Sequence, residues 1–377
     1  VIFTSGSTGI PKGAMVSNRS AINRIRWMCE KYFSPETVVM LKTPFTFDVS
    51  VWEIFGFALG GFSLYILPPE DHYRQDRVAD HIRKGGVTDI HFVPTVFSHF
   101  LDALKGDRES LPSLKNIYLS GEALSASLVN RAPAAVHNLY GPTECAVDVT
   151  YYDCAKTEND PVPIGKPIDN CQMYVLDQRL QPLPIGIVGQ IFIGGIPVGL
   201  GYVNDEAKTR ASFVRDPFSD GYLYQTGDLG YWQEDGQLVF VGRADHQVKI
   251  RGQRIELGEI EAALNAFVPV SVVVFEEGRL IAFYTGDECT GLREQLSHVL
   301  PHHMIPNQFI HLEEMPMTAS GKVDRKALLT MPRQDSAAPI APTTREEELL
   351  LDAVEKALQL CLVKKMIPTR CLQSKKQ

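Results

Sequence analysis

Residues 4–13, with the sequence TSGSTGIPKG, combine small and hydroxylated residues and glycines with one cation, Lys12. They follow the apolar residues 1–3 directly, so we expect a short strand that leads into a flexible loop. Glycines let a backbone approach a ligand closely, and hydroxyl and amide groups of such a loop can face phosphate oxygens. Lys12 would add a point charge. Taken alone, the same composition is equally compatible with a polar surface loop.

The spacing excludes the P-loop of nucleotide hydrolases. Counted from Gly6, the pattern GxxxxGK[ST] requires glycine at position 11, lysine at 12 and serine or threonine at 13. Pro11 and Gly13 stand in two of these places, so only Lys12 fits.

An acidic residue, Asp48, lies inside the strongly apolar segment 42–61 (KTPFTFDVSVWEIFGFALGG). Burying a carboxylate is costly unless a cation meets it. Asp48 therefore either caps the following helix or receives a positively charged ligand.

The overall composition limits the class of protein. The chain has 377 residues, of which 44% are hydrophobic, and a net charge of -8, which argues against general nucleic-acid binding. No apolar run is long enough for a membrane span. The 7 cysteines form no CxxC pair, so neither a zinc site nor a disulfide framework is indicated, and a cytoplasmic location is expected. Because residue 1 falls within an apparent strand, we expect an N-terminally truncated fragment.

The elements that would position these residues alternate along the first part of the chain. Helical patterns at 18–32, 77–84 and 96–104 alternate with short apolar runs at 38–41, 63–67, 89–93 and 116–119. This alternation predicts a mainly parallel sheet with helices on its faces, and such sheets bind ligands at the carboxyl ends of their strands. His91, residues 120–122 and residues 138–144 fall near those ends.

The character of the sequence changes twice after residue 150. We predict a large subdomain at 1–242, whose residues 151–242 are rich in strands and turns, and a small α+β subdomain at 243–332. Prolines indicate a linker at 333–343, and residues 344–377 contain an amphipathic helix followed by a basic tail.

Together these motifs resemble the amino-acid adenylation domains of nonribosomal peptide synthetases, within the acyl-adenylate-forming enzyme superfamily. The resemblance covers about residues 1–328 and rests on blocks in family order: TSGSTGIPKG, FDVSVWE, NLYGPTE, GQIFIGGIPVGLGY, YQTGDL, GRADHQVKIRGQRIELGEIE, LPHHMIP and ASGKVDR. It implies the adenylate-forming enzyme fold, with an α/β and β-rich large subdomain, incomplete at its N-terminus, and a small α+β C-terminal subdomain.

The resemblance also implies an activity. An amino-acid adenylating ligase of this family uses ATP and Mg²⁺ to form an aminoacyl-AMP and pyrophosphate, then transfers the aminoacyl group to the phosphopantetheine thiol of a carrier domain. The implied partners are the amino-acid substrate and the carrier and condensation domains of the same assembly line, with a thioesterase domain as a further candidate. Nucleic acid and membrane are not expected as partners.

Site residues are implied by the same resemblance. Lys322, Lys12 and Glu144 would be catalytic: Lys322 would touch the attacking carboxylate and the α-phosphate, and Glu144 would bind Mg²⁺. Tyr140 would stack on adenine, and Asp228, beside Arg243, would accept hydrogen bonds from the ribose. The implied ATP-binding residues are Thr4, Ser5, Gly6, Ser7, Thr8, Gly9, Lys12, Gly121, Asn138, Tyr140, Gly141, Thr143, Asp228 and Arg243. Asp245 would be the hinge of the small subdomain, or else a simple turn aspartate.

Aligned on the family motifs, the side-chain pocket contains a defined set of residues, called the pocket residues below: Asp48, Val49, Trp52, His91, Tyr118, Ser120, Leu139, Val147, Asp148 and Lys322. Asp48 would pair with the substrate ammonium and Lys322 with its carboxylate. Trp52 would shorten the cavity, while His91, Ser120 and Asp148 would form its polar end. The set resembles the pockets of serine-activating modules of siderophore synthetases, with threonine as the nearest rival substrate. Tyr118 departs from the Leu, Phe or Met more usual in serine pockets.

The sequence departs from the family pattern at further places, and it leaves two alternative functions open. Leu200 stands where the family usually has arginine, which we expect to affect packing only. The helix after residue 344 resembles the start of a carrier domain, but the glycine-rich serine motif that accepts phosphopantetheine is missing, so the chain is not expected to load itself. An acyl-CoA or aryl-acid ligase is one alternative, against which Asp48 argues, and a catalytically silent fragment is another.

Overall fold

The computed structural model describes residues 1–4, 11–72, 74–104, 110–156, 160–244, 247–250, 253–276, 278–289, 291–317 and 323–331. The chain divides into two compact units, Val1–Met315 and Pro316–Gln377. The predicted linker at 333–343 and the segment 344–377 lie outside the described residues.

The helices of the first unit are α1 (Asn18–Tyr32), α2 (Ser50–Gly60), α3 (Gln75–Gly85), α4 (Pro94–Ala103), α5 (Ala126–Arg131), α6 (Glu206–Ser212), α7 (Leu257–Leu264) and α8 (Leu292–Ser297). In the second unit, α9 spans Arg325–Thr330. Helix α1 begins after a hydroxyl cap, because Ser17 Oγ accepts a 3.0 Å hydrogen bond from the amide of Ser20.

The strands in chain order are β1 (Ile2–Thr4), β2 (Lys12–Met15), β3 (Val38–Leu41), β4 (Ser63–Ile66), β5 (Asp89–Phe92), β6 (Asn116–Leu119), β7 (Ala135–Tyr140), β8 (Thr150–Cys154), β9 (Lys166–Pro167), β10 (Cys171–Leu176), β11 (Gly189–Gly195), β12 (Gly201–Tyr202), β13 (Phe213–Arg215), β14 (Tyr222–Trp232), β15 (Leu238–Arg243), β16 (Gln247–Ile250), β17 (Gln253–Glu256), β18 (Val270–Glu276), β19 (Arg279–Thr285) and β20 (Gln308–His311).

A seven-stranded sheet in the order β4-β3-β5-β6-β7-β8-β9 forms the centre of the first unit. Its first five strands are parallel, as predicted, whereas β8 and β9 are antiparallel. Alternation along β6 sends Tyr118 into one core cluster and its neighbours Ile117 and Leu119 into another. Both faces of the central strands are therefore buried, as expected for parallel strands with connecting helices.

A five-stranded antiparallel sheet follows, with the order β10-β11-β14-β13 and β15 paired to β14. It corresponds to the predicted β-rich region. In the pairing of β14 with β15, Asp228 lies directly opposite Arg243. The sheet thus places two predicted site residues side by side.

A small sheet, in the order β1-β2-β12, joins the start of the chain to residue 202. Thr4 pairs with Lys12 across β1 and β2, and Tyr202 pairs with Ala14 across β12 and β2. This pairing places Lys12 and Tyr202 next to each other.

Residues 255–309 have a core cluster of their own, formed by side chains such as Ile260, Leu264 and Leu296. Around it lie α7, α8 and the sheet β18-β19-β20. The predicted small α+β subdomain thus has its own apolar core, and its boundary at 242/243 stays a prediction. Pro269 and Pro301 lie a few residues beyond the ends of α7 and α8, where the chain is no longer helical. Proline disfavours helical geometry in the residue before it, so neither helix is expected to extend to these positions.

Candidate active site

Three polar side chains meet at the carboxyl ends of β5 and β6. His91 on β5 pairs in register with Tyr118 on β6, and Ser120 follows β6 directly. His91 Nε2 lies 2.9 Å from Ser120 Oγ, and both side chains are buried. Burial, followed by the charges of Lys42 and Arg24, lowers the pKa of His91 well below its ordinary 6.5. A neutral imidazole beside a hydroxyl can both donate and accept hydrogen bonds, which suits a ligand that carries a hydroxyl group.

The indole of Trp52, at the start of α2, packs against this cluster. It is 1% exposed, and its ring centroid lies 5.8 Å from that of Tyr118 and 6.5 Å from that of His91. Its Nε1 is buried and has no hydrogen-bond partner among the described atoms. The large apolar ring thus lies next to the polar groups, and its predicted role in shortening a substrate cavity stays a prediction.

The hydroxyl of Tyr118 is engaged away from the His91–Ser120 pair. It donates a 2.7 Å hydrogen bond to Oδ1 of Asp89, which is also buried and also accepts from Asn116. Asp89 thus satisfies the hydroxyl that distinguishes Tyr118 from phenylalanine. The tyrosine that replaces the more usual Leu, Phe or Met at this position therefore has a hydrogen-bond partner for its hydroxyl inside the protein.

An unusual turn brings Asp148 into the interior. Ala146 and Val147 have φ values of 61° and 80°, which are rare for residues other than glycine and strained for a β-branched residue. Gly141 lies against this turn, since a Cβ at that position would come within 2.4 Å of the carbonyl oxygen of Val147. The turn leaves Asp148 only 2% exposed.

Asp148 pairs with a residue that was not predicted from the sequence, Arg24 of α1. Arg24 Nη2 lies 2.7 Å from Asp148 Oδ2, and Arg24 is 1% exposed. Arg24 lies outside every family motif. The signal in the sequence was the helical spacing, because Ser20, Arg24 and Met28 share the buried face of α1 at intervals of four.

The remaining pocket residues occupy different settings. Leu139 and Val147 are buried, and Asp48 and Val49 are half-buried. The cap position of α2 is Val49, which makes no side-chain bond, and Asp48 contributes its backbone carbonyl, which accepts from the amide of Val51 at 2.9 Å. Both predicted roles of the Asp48 side chain, as a helix cap and as the partner of a cationic ligand, stay predictions. Lys322 lies outside the described residues.

A second group of predicted residues meets on β14, β15 and β7. Asp228 accepts a hydrogen bond of 2.5 Å from Arg243 Nη1 at Oδ1 and one of 2.5 Å from the hydroxyl of Tyr140 at Oδ2. Burial, followed by the charge of Asp228, raises the pKa of Tyr140 well above its ordinary 10.0, so its hydroxyl remains a donor. Asn138 is buried nearby on β7 and donates its side-chain amide to the carbonyl of Pro163 at 2.8 Å.

Lys12, Glu144 and Tyr202 form a third buried group. Lys12 Nζ lies 3.2 Å from Glu144 Oε1, and the hydroxyl of Tyr202 donates to the same oxygen at 2.7 Å. Among the described residues, no group of three or more His, Cys, Asp or Glu side chains could hold a metal ion. Mg²⁺ is usually held by one or two carboxylates together with substrate phosphates, so a single buried carboxylate fits that ion.

The other predicted ATP-binding residues are partly described. Thr4 pairs with Lys12 across the two strands. Its Oγ1 is buried without a hydrogen-bond partner among the described atoms, which fits a hydroxyl that donates to a phosphate oxygen. Gly121 follows Ser120 with a φ of 89°, and Thr143 begins the 3₁₀ turn that contains Glu144. The predicted residues Ser5, Gly6, Ser7, Thr8, Gly9 and the hinge residue Asp245 lie outside the described residues.

In the part of the chain that the structure describes, no helix combines the length and apolar character needed to cross a bilayer.

The chain is similar to known proteins over most of its length. The family model for AMP-binding enzymes matches residues 1–203. Zwittermicin A synthase ZmaJ of Bacillus cereus is 43% identical over 351 residues, which cover 87% of this chain and 67% of that protein. A mycosubtilin synthase polypeptide of Bacillus subtilis is 41% identical over 387 residues, which cover 96% of this chain but only 15% of that protein. The chain therefore spans a small part of the longest relatives it matches.

Solved structures agree with these relatives. The adenylation domain AlmE of Vibrio cholerae, in complex with glycyl-adenosine-5'-phosphate, has a TM-score of 0.77 at 29% identity and covers 87% of this chain and 65% of its own. Holo-PA1221, an NRPS protein containing adenylation and PCP domains, has a TM-score of 0.76 at 30% identity, with coverage of 87% and 59%. The predicted adenylate-forming enzyme fold is confirmed. The match to the AMP-binding enzyme family supports the predicted class of amino-acid adenylating ligase. The chain belongs to the AMP-binding enzyme family and is an adenylation domain of the nonribosomal peptide synthetase type.

Proposed function

We propose that this chain activates L-serine by adenylation. The observation that carries the proposal is the buried polar cluster of His91 and Ser120, with Trp52 packed against it. A hydroxymethyl side chain is small enough for such a site and can hydrogen-bond to it. Alanine or glycine would leave buried polar groups unpaired. Threonine is the nearest rival, because one methyl group discriminates by only about 1–3 kcal/mol.

In the proposed reaction, an oxygen of the serine carboxylate attacks the α-phosphorus of ATP, and pyrophosphate leaves with the bond electrons. Such a step depends on positioning and charge neutralisation more than on proton transfer. Lys12 and Thr4 would bind the phosphates, and Lys322 would contact the carboxylate and the α-phosphate. Mg²⁺, held by Glu144, would neutralise phosphate charge when bound.

The group around Asp228 would hold the nucleoside. Each oxygen of Asp228 already accepts one hydrogen bond, from Arg243 and Tyr140. A carboxylate has about four acceptor sites, so Asp228 retains capacity for ribose hydroxyls. Tyr140 would offer its ring to adenine while its hydroxyl remains fixed on Asp228.

After adenylation, the seryl group would pass from AMP to the phosphopantetheine thiol of a partner carrier domain. Holo-PA1221, which contains adenylation and PCP domains, supports this part of the proposal. Condensation and thioesterase domains of the same assembly line would be further partners, in the cytoplasm. The small subdomain from residue 243 would turn about Asp245 between the two half-reactions.

The test is amino-acid-dependent ATP–pyrophosphate exchange by this chain, with a panel of all proteinogenic amino acids and Lys322→Ala as the blank. We expect exchange with L-serine above all others and weaker exchange with L-threonine. Exchange with an unrelated amino acid would retain the enzyme and overturn the serine pocket. Exchange with an aryl acid, or binding of ATP without any exchange, would favour a different ligase or a silent domain.

A further inference from the structure

The buried ion pair between Arg24 and Asp148 is expensive to form. Both residues are at most 2% exposed, and their charges meet at 2.7 Å. Removing two charges from water costs several kcal/mol for each ion, and well-packed apolar residues often stabilise a protein more than such a pair does. Stability alone is therefore a weak reason for placing this pair inside the fold.

The surroundings hold the guanidinium of Arg24 in one place. It lies 5.1 Å from the ring centroid of Trp27, and its Nη1 donates to Met28 Sδ at 3.0 Å. Its Nε is buried and has no acceptor among the described atoms. An arginine fixed in this way acts as a permanent positive charge, since the guanidinium does not lose its proton in proteins.

That charge acts on the substrate pocket. Arg24 pairs with one pocket residue, Asp148, and its positive charge contributes to the lowered pKa of another, His91. Without Arg24, the polar end of the pocket would contain an imidazole, a serine hydroxyl and a carboxylate that has lost its cationic partner. Such a site would attract a cation rather than a neutral hydroxyl group.

We propose that Arg24 of α1 is a specificity-determining residue, which cancels the charge of Asp148 and so makes the pocket select a neutral hydroxyl side chain over a cationic one. This inference rests on the proposed function, and it adds a residue outside the pocket residues read from the motifs. The cationic counterpart of serine is L-2,3-diaminopropionate, in which an ammonium group replaces the hydroxyl.

The test compares exchange kinetics of the wild type, Arg24→Met and the double variant Arg24→Met/Asp148→Asn with L-serine, L-alanine and L-2,3-diaminopropionate. For Arg24→Met, we expect the ratio of kcat/KM for serine to that for diaminopropionate to fall by about 30-fold or more, as when one partner of a buried charge pair is removed. The double variant, whose pocket is neutral again, should lose the preference for the cation. Arg26→Gln is the matched control, because Arg26 lies on the same helix but is exposed and pairs with Glu30 along the surface.

A second measurement covers variants that turn over poorly. Calorimetric binding of the non-reactive sulfamoyl adenosine analogues of the three aminoacyl adenylates should show the same change of ratio. An equal loss for all three ligands would overturn the inference and make Arg24 a purely structural residue. If the wild type neither catalyses exchange with serine nor binds the seryl-adenylate analogue, the proposed function itself is overturned. The measurements on the wild type therefore test the proposed function separately from the role of Arg24.

Discussion

Tyr202 donates a hydrogen bond of 2.7 Å to Oε1 of Glu144, the same oxygen that lies 3.2 Å from Nζ of Lys12. All three side chains are buried, and Lys12 also lies over the ring of Tyr202 at 5.0 Å from its centroid. Strand β12 places Tyr202 there, and the amide of Gly199 donates to the Glu144 backbone carbonyl at 2.9 Å. The residue proposed to bind Mg²⁺ is thus held by groups from two other parts of the chain, Lys12 and the segment 199–202.

The first prediction concerns the hydroxyl of Tyr202. Tyr202→Phe retains the ring but removes a hydrogen bond to a buried carboxylate, and hydrogen bonds to charged groups contribute about 1.5–3 kcal/mol. We expect the KM for Mg²⁺–ATP to rise by about 10- to 100-fold, with little change in the KM for serine. Exchange rates at varied ATP and saturating serine measure this, with the exposed Tyr222→Phe as a control. Equal KM values in both variants would show that Tyr202 does not position Glu144.

The second prediction concerns Asp228 as the acceptor for ribose hydroxyls. Asp228→Asn replaces one acceptor oxygen by a donor and removes the carboxylate with which Arg243 pairs. We expect the KM for ATP to rise by about 10-fold or more, because hydrogen bonds to charged groups contribute about 1.5–3 kcal/mol. The diagnostic ligand is 2'-deoxy-ATP, which lacks one ribose hydroxyl. Replacing ATP by 2'-deoxy-ATP should raise the KM of the wild type by a larger factor than that of the variant. An identical penalty in both proteins would place the ribose elsewhere.

The third prediction separates Tyr118 from substrate choice. Because its hydroxyl donates to Asp89 rather than to the His91–Ser120 pair, Tyr118→Phe should leave the ratio of serine to threonine exchange unchanged. It should lower the free energy of unfolding by about 1–3 kcal/mol, because the buried Asp89 loses a donor. Urea unfolding and the exchange panel measure the two effects. A changed substrate ratio would show that the hydroxyl contacts the ligand.

Some features of the fold and site could be predicted from the sequence, and others could not. The runs at 38–41 and 116–119 indicated β3 and β6, because strands buried on both faces have nearly continuous apolar sequences. The pair of Arg24 and Asp148 joins residues 124 positions apart. It depends on positive φ at Ala146 and Val147, for which alanine and valine give no signal in a sequence. The bond from Tyr202 to Glu144 likewise joins residues 58 positions apart, and it depends on the pairing of β12 with β2.

The last prediction concerns acid stability. Burial is the largest cause of the lowered pKa values of His91 and His137, whose ordinary value is 6.5. Below about pH 6.5 the unfolded chain binds protons that the native chain does not, so the free energy of unfolding falls as the pH decreases. Buried acids with raised pKa values, such as Asp89, act in the opposite direction, so only a comparison of variants isolates one histidine.

His91→Gln should therefore reduce the slope of unfolding free energy against pH in the range just below about pH 6.5. The reduction approaches about 1.4 kcal/mol per pH unit when one full proton is involved. Urea unfolding at several pH values measures this slope in the wild type and the variant. Because burial keeps the pKa of native His91 well below 6.5, the wild-type preference for serine over alanine should not change around pH 6.5. Parallel stability curves, or a serine preference that titrates near pH 6.5, would show that the native imidazole becomes protonated.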